Sequence, residues 1–199
     1  MNKITLNKIS GVDLRDKKIS KKLMVTAFIL LIVSGLIGNF IYPFAQLIDY
    51  LETMKRAAIF VLIFIGLSII KVVLHEVIHA IMMKKYGANK IEFGYTSGSA
   101  YTKSDGYFNK RQFTLITLAP LIVLSILLIP TSLVVPRDMF WLIWLVQIMN
   151  MAGASGDLYV MFIIKKLPSD AIIRDNGPCM DVYQEMTCED RYQFKKGGR

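Results

Sequence analysis

Residues 57–83 read AAIFVLIFIGLSIIKVVLHEVIHAIMM. Apart from Lys71 and the pentad His75-Glu76-Val77-Ile78-His79 the stretch is apolar, and it exceeds the ~20 residues a helix needs to cross a hydrocarbon core. The pentad holds both histidines of the chain. On a helix, residues four apart share a face, so H-E-x-x-H presents two imidazoles together with a carboxylate beside them. A zinc hydrolase holds its metal and its general base in this way. Two histidines placed at random in a chain of this length would form such a pentad only about once in several thousand sequences. Ionisable side chains within a membrane segment are costly and mark function by default.

Working outward, the rest of the chain has the same character. Hydrophobic residues make up 54% of it and the mean hydropathy is +0.45, too apolar for a soluble nucleic-acid binder despite the net charge of +9. The apolar residues fall in blocks: 23–44 and 113–135 lack charge, and 139–164 carries only Asp157. Four transmembrane helices at about 23–44, 57–83, 113–135 and 139–164 are therefore expected. The first run is too long for a signal-peptide h-region and offers no small-residue cleavage site, which predicts a retained helix. Lys and Arg number seven before the first helix, six in 84–112 and seven after Ile164, against three in the two other connections. The positive-inside rule then places both termini and the 84–112 segment in the cytoplasm of a multi-pass cell-membrane protein. Basic flanks beside anionic headgroups explain the charge, and no nucleic-acid partner is needed.

Between the blocks, 1–22 reads as a cytoplasmic arm and 165–199 as a partly ordered cytoplasmic tail. Within 89–103, alternation in Lys90–Tyr95 followed by Thr96-Ser97-Gly98-Ser99 predicts a β-hairpin. The class expected is an all-α membrane protein with one short cytoplasmic hairpin between its second and third helices. Cys179 and Cys188 fit no zinc-site spacing and are expected to be free thiols on the reducing side. Pro120 and Pro130 predict kinks in the third helix.

Catalytic zinc usually has three protein ligands and an open position for water. With no further histidine, the third ligand has to be a carboxylate, a backbone group or something unusual, and Asp157 is the only acid in another block. The expected topology puts His79 and His75 roughly 7 and 13 Å below the cytoplasmic boundary, and Asp157 roughly 12 Å, at about 1.5 Å per residue. The three fall in one layer. The expected zinc ligands are His75, His79 and Asp157, with Glu76 as general base. Lys71, one turn before His75, could stabilise an oxyanion or pair with an acid. Asn150, two turns before Asp157, could orient a ligand or substrate amide, although an interhelical hydrogen bond is the ordinary role for such a residue.

The pentad, Tyr86-Gly87, Phe93-Gly94-Tyr95, Leu118-Ala119-Pro120 and Gly153-Ala154-Ser155-Gly156-Asp157 together resemble a family of bacterial membrane zincin peptidases that is similar to the site-2 proteases. The resemblance spans roughly 70–165. It implies intramembrane zinc proteolysis, with His75 and His79 matching the ligand histidines, Glu76 the catalytic glutamate and Asp157 the ligand aspartate. Site-2 proteases carry an Asn–Pro element before an Asp-Gly pair; here no proline follows Asn150, and Leu158 follows Asp157.

The function expected is hydrolysis of peptide bonds in a membrane or membrane-proximal protein or peptide substrate by a Zn2+-dependent enzyme. The alternative is a non-enzymatic metal-binding membrane protein serving transport or sensing.

Overall fold

A computed structural model of the chain describes residues 6–96 and 99–185. In chain order its elements are β1 (Leu6–Asp13), α1 (Lys17–Ile41), the short α2 (Ala45–Tyr50), α3 (Met54–Lys85), β2 (Ile91–Thr96), β3 (Ser99–Ser104) and β4 (Phe108–Asn109). There follow α4 (Lys110–Val134), α5 (Arg137–Gly153), α6 (Ser155–Lys166), β5 (Ile172–Asp175) and β6 (Cys179–Glu185). Four helical stretches among the described residues are long and apolar enough to cross a membrane: α1, α3, α4, and α5 with α6 taken as one span.

The chain is mostly helical but not all-α. β1, β6, β5 and β4 form one antiparallel sheet in that order, so the polar arm and the tail expected to be partly ordered pair with each other. Alternation in the tail supplies the reason: Ile173, Met180 and Val182 are buried against helix ends. That pattern is short and interrupted by Pro178, which masks it in the sequence. The hairpin forms as β2 and β3, with Phe93 opposite Thr102 and Gly94 opposite Tyr101; Ser97 and Gly98 of its turn lie outside the described residues. Cys188 also lies outside them, and Cys179 makes no disulfide among the described residues.

Each helix stops or starts for a local reason. α3 ends in a Schellman arrangement: Gly87, at φ 99°, donates to the Lys84 carbonyl, and Ala88 donates to the Met83 carbonyl. Glycine at this left-handed position and the buried Met83–Ala88 contact are what the motif requires. The Asn109 side chain and Gln112 make a reciprocal capping box at the start of α4. Pro120 and Pro130 sit inside α4, which continues past both.

The fourth apolar block is not the single helix expected. It breaks at Ala154, where α5 stops and α6 begins at Ser155. The small residues Ala152–Gly156 permit that break, and it places Asp157 in the first turn of a helix, where the axial dipole favours a carboxylate.

Two apolar cores result. One joins the ends of α3, α4 and α6 to the sheet through Phe108, Phe113, Ile116, Ile164, Ile173 and Val182. The other packs Phe60, Phe140, Trp141 and Trp144 toward the opposite end. Large apolar side chains outside these cores, such as Phe28, Phe40, Leu62 and Ile126, point outward.

Candidate metal centre

α3 carries His75, Glu76 and His79 to the wall of a cavity of about 500 Å³, which α6 closes with Asp157 and the sheet with Asp175. His75 Nε2 lies 3.2 Å from Asp157 Oδ2 and His79 Nε2 lies 3.5 Å from Asp157 Oδ1. One ligand atom from each of the three can be chosen so that all lie within 4.8 Å of one another. A tetrahedral ion with bonds of ~2.0–2.1 Å holds neighbouring ligand atoms about 3.3 Å apart, so the two His–Asp separations match what zinc requires and the donor types suit it. Two imidazoles and one carboxylate also leave a fourth position free. The expected triad is brought together by three pieces of local structure: the i, i+4 spacing on α3, the break at Ala154, and α6 starting at Ser155.

The two histidines are held differently. His79 Nδ1 lies 3.1 Å from the Ile116 main-chain carbonyl of α4. A carbonyl can only accept, so a proton on Nδ1 makes this a hydrogen bond, and Nε2 is the nitrogen turned toward Asp157. Fixing a ligand histidine through its second nitrogen is the usual supporting device at metal sites. His75 Nδ1 is buried with no partner among the described residues, and its ring meets that of His79 edge-on at 4.9 Å.

Glu76 is held from the hairpin. The Thr102 hydroxyl of β3 donates to Glu76 Oε2 at 2.7 Å and lies 3.1 Å from the Glu76 carbonyl. Thr102 is buried, so this bond is shielded from water. One carboxylate oxygen is thereby tied to the hairpin, and Oε1 is left for the cavity.

Lys71 and Asn150 fall elsewhere. Lys71 is buried, and its ammonium sits 3.5 Å from the Met149 carbonyl near the end of α5, making no ion pair within 4.0 Å with an acid among the described residues. Asn150 is fully buried between α4 and α5, where its amide reaches Ser125 Oγ at 3.2 Å and the Leu121 carbonyl at 3.4 Å. This is an interhelical hydrogen-bond network, and Asn150 does not line the cavity.

Thr102 and Asp175 reach the site without having been singled out in the sequence. Thr102 lies in the hairpin pattern, but nothing in that pattern says which residue meets Glu76. Asp175 belongs to Asp175-Asn176-Gly177-Pro178, a turn signal in a tail with no visible tie to the pentad. Gly177, at φ 77°, donates to Asp175 Oδ1 at 2.8 Å, and the ring of Tyr101 lies against the face of Gly177 that a side chain would occupy. Hairpin and tail therefore meet over the cavity.

Burial pushes the Asp175 carboxyl up from 3.8 to about 7, and the nearby Asp157 and Glu76 carboxylates push in the same direction. Asp175 is partly buried and lines the cavity. An acid whose pKa is raised on folding holds its proton in the folded state where the unfolded chain has lost it. Folding therefore incurs a penalty that is absent below about pH 4, grows between 4 and 7, and is constant above. In the metal-free protein, Asp175→Asn is expected to raise thermal stability at pH 8, by on the order of 2–4 kcal/mol, and to change nothing at pH 4. Melting curves at the two pH values check this; an equal shift at both would mean that the charge is not the cause.

A family described as "putative zincin peptidase" matches residues 68–172, the stretch that contains the pentad, the hairpin, the Ala154 break and Asp157. An uncharacterized 24.7 kDa protein of Pyrococcus woesei is 35% identical over 117 residues. That similarity covers 56% of this chain and 50% of the relative, so the chain spans about half the relative's length. No solved structure matches the chain.

Proposed function

The chain belongs to the putative zincin peptidase family, and on that premise we propose that it is a membrane-embedded zinc metallopeptidase of site-2 type. Its substrate is a membrane or membrane-proximal protein, cut near the cytoplasmic face, with both termini of the enzyme in the cytoplasm. The observation that carries this reading is the meeting of His75, His79 and Asp157 from two helices, beside Glu76 on a cavity wall. The outward apolar faces of α1, α3 and α4 suit lipid, and the basic segments at one end suit the cytoplasmic surface.

His75 Nε2, His79 Nε2 and an Asp157 oxygen would hold the ion. A zinc ion held there supplies Lewis-acid polarisation of the scissile carbonyl and acidifies the attacking water. Glu76, through the oxygen not tied to Thr102, takes the proton of that water and returns it to the departing amine nitrogen. The sheet and the hairpin limit access of bulk water from their side of the cavity, which strengthens each electrostatic contact inside. A helical substrate has to unwind before its carbonyls are available, so cleavage is expected beside helix-weakening residues.

Proteoliposome assays with membrane-anchored model substrates test the activity. Hydrolysis that stops with a zinc chelator and returns with added zinc is expected; hydrolysis indifferent to chelation would contradict the proposal. Because Thr102 fixes one Glu76 oxygen, Thr102→Val is expected to slow turnover about 10–100-fold with zinc content unchanged, and Thr102→Ser to restore it. Loss of zinc in Thr102→Val would instead assign the threonine to the fold of the centre.

A further inference from the structure

We propose that Pro120 is a positioning residue of the metal centre, acting through the Ile116 carbonyl on His79; this rests on the zinc-peptidase reading above. In an unbroken α-helix the Ile116 carbonyl accepts from the main-chain N–H of residue 120, four residues on. Residue 120 is proline, which has no N–H and whose ring crowds the carbonyl four residues before it. The Ile116 carbonyl is thus relieved of its helical partner at a point where Ile116 and Pro120 are both almost completely buried. An orphaned carbonyl in an apolar interior is costly, and in membrane helices a proline is tolerated where a neighbouring helix satisfies the freed group. His79 on α3 does so, with Nδ1 at 3.1 Å from that oxygen.

The bond serves both partners. It satisfies the carbonyl, and it fixes the imidazole with its proton on Nδ1, so that Nε2 is turned toward Asp157 at 3.5 Å and is the nitrogen that would bind the ion. A helix without the proline would offer Ile116 its own N–H partner, and His79 would lose its acceptor or have to share it. Pro130 provides an internal comparison. It lies in the same helix, but the carbonyl it would free, that of Ile126, belongs to an outward-facing residue far along α4 from the histidines.

The test is zinc affinity of the full chain in detergent for wild type, Pro120→Ala and Pro130→Ala, with thermal stability of the metal-free forms measured alongside. Pro120→Ala is expected to weaken zinc binding by about 10–100-fold, the usual effect of removing a group that supports a metal-bound histidine. Metal-free Pro120→Ala is expected to melt no lower than wild type, because a helical hydrogen bond is regained. Pro130→Ala is expected to keep wild-type affinity. Wild-type affinity in Pro120→Ala, or equal losses in both variants, overturns the proposal. If wild type itself binds no zinc, the peptidase reading fails and this inference falls with it, an outcome distinct from the preceding two. Nitrogen NMR of histidine-labelled wild type reads only two imidazoles and needs no variant. A zinc-loaded His79 protonated on Nδ1 is the expected result, and one with Nδ1 bare overturns the proposal even if Pro120→Ala does not fold.

Discussion

Glu76→Gln is expected to leave zinc content at the wild-type level and to lower peptidase turnover by about 10³-fold, within the range that loss of a general base usually costs. Glutamine keeps the size of the side chain and can still accept the Thr102 hydroxyl through its carbonyl oxygen, so the packing around the cavity is retained. It cannot take a proton at neutral pH. The loss should therefore fall on kcat, with KM little changed, because Glu76 acts on the water rather than on ground-state binding. Parallel metal analysis and steady-state kinetics in proteoliposomes read both quantities. A transporter or sensor built on the same three ligands would keep its function in this variant. Retained peptide hydrolysis in Glu76→Gln would remove Glu76 from the chemistry.

Asp157→Ala and His79→Ala are each expected to abolish stoichiometric zinc binding, a larger effect than the ~100-fold that loss of a supporting hydrogen bond causes. Each deletes one of three protein ligands, and a site left with two cannot hold the ion in competition with water. Asp157→Ala has a second consequence. It removes the carboxylate that faces both imidazoles, at 3.2 and 3.5 Å, and leaves two buried ring nitrogens without that partner. Metal-free Asp157→Ala should therefore be less stable than wild type by about 1–3 kcal/mol. Metal content after dialysis against trace zinc, together with a melting curve, separates loss of a ligand from loss of the fold. Stoichiometric zinc in well-folded Asp157→Ala would remove the aspartate from the ligand set.

Much of this centre is written locally in the chain. The i, i+4 histidines declare their shared face, and the apolar blocks declare the helices that carry them. Asp157 could be placed at the histidines' depth by counting residues from the basic flanks, because a membrane span fixes depth along one axis. Contacts across that axis were not legible. Counting gives no information about which face of a helix meets which neighbour, so Thr102 on Glu76 and the Ile116 carbonyl on His79 emerge only in three dimensions. The same blindness raised Asn150 as a ligand-orienting candidate, since it shares Asp157's face only if the helix is unbroken. Asn150 instead faces α4, where its amide reaches Ser125 Oγ. The sheet was hidden for a different reason. β1 and β6 are far apart in sequence, and each alone is too short and too polar to announce a buried face. Asp175 is carried on β5, whose partners are β4 and β6.

Zinc K-edge X-ray absorption of the purified wild-type protein in detergent addresses the metal centre most directly. The expected spectrum, with about one zinc per chain, shows two imidazole nitrogens and oxygen ligands at ~2.0–2.2 Å and no sulfur. Protein that folds but takes up no zinc, or zinc with a sulfur neighbour at ~2.3 Å, would contradict a centre built from His75, His79 and Asp157.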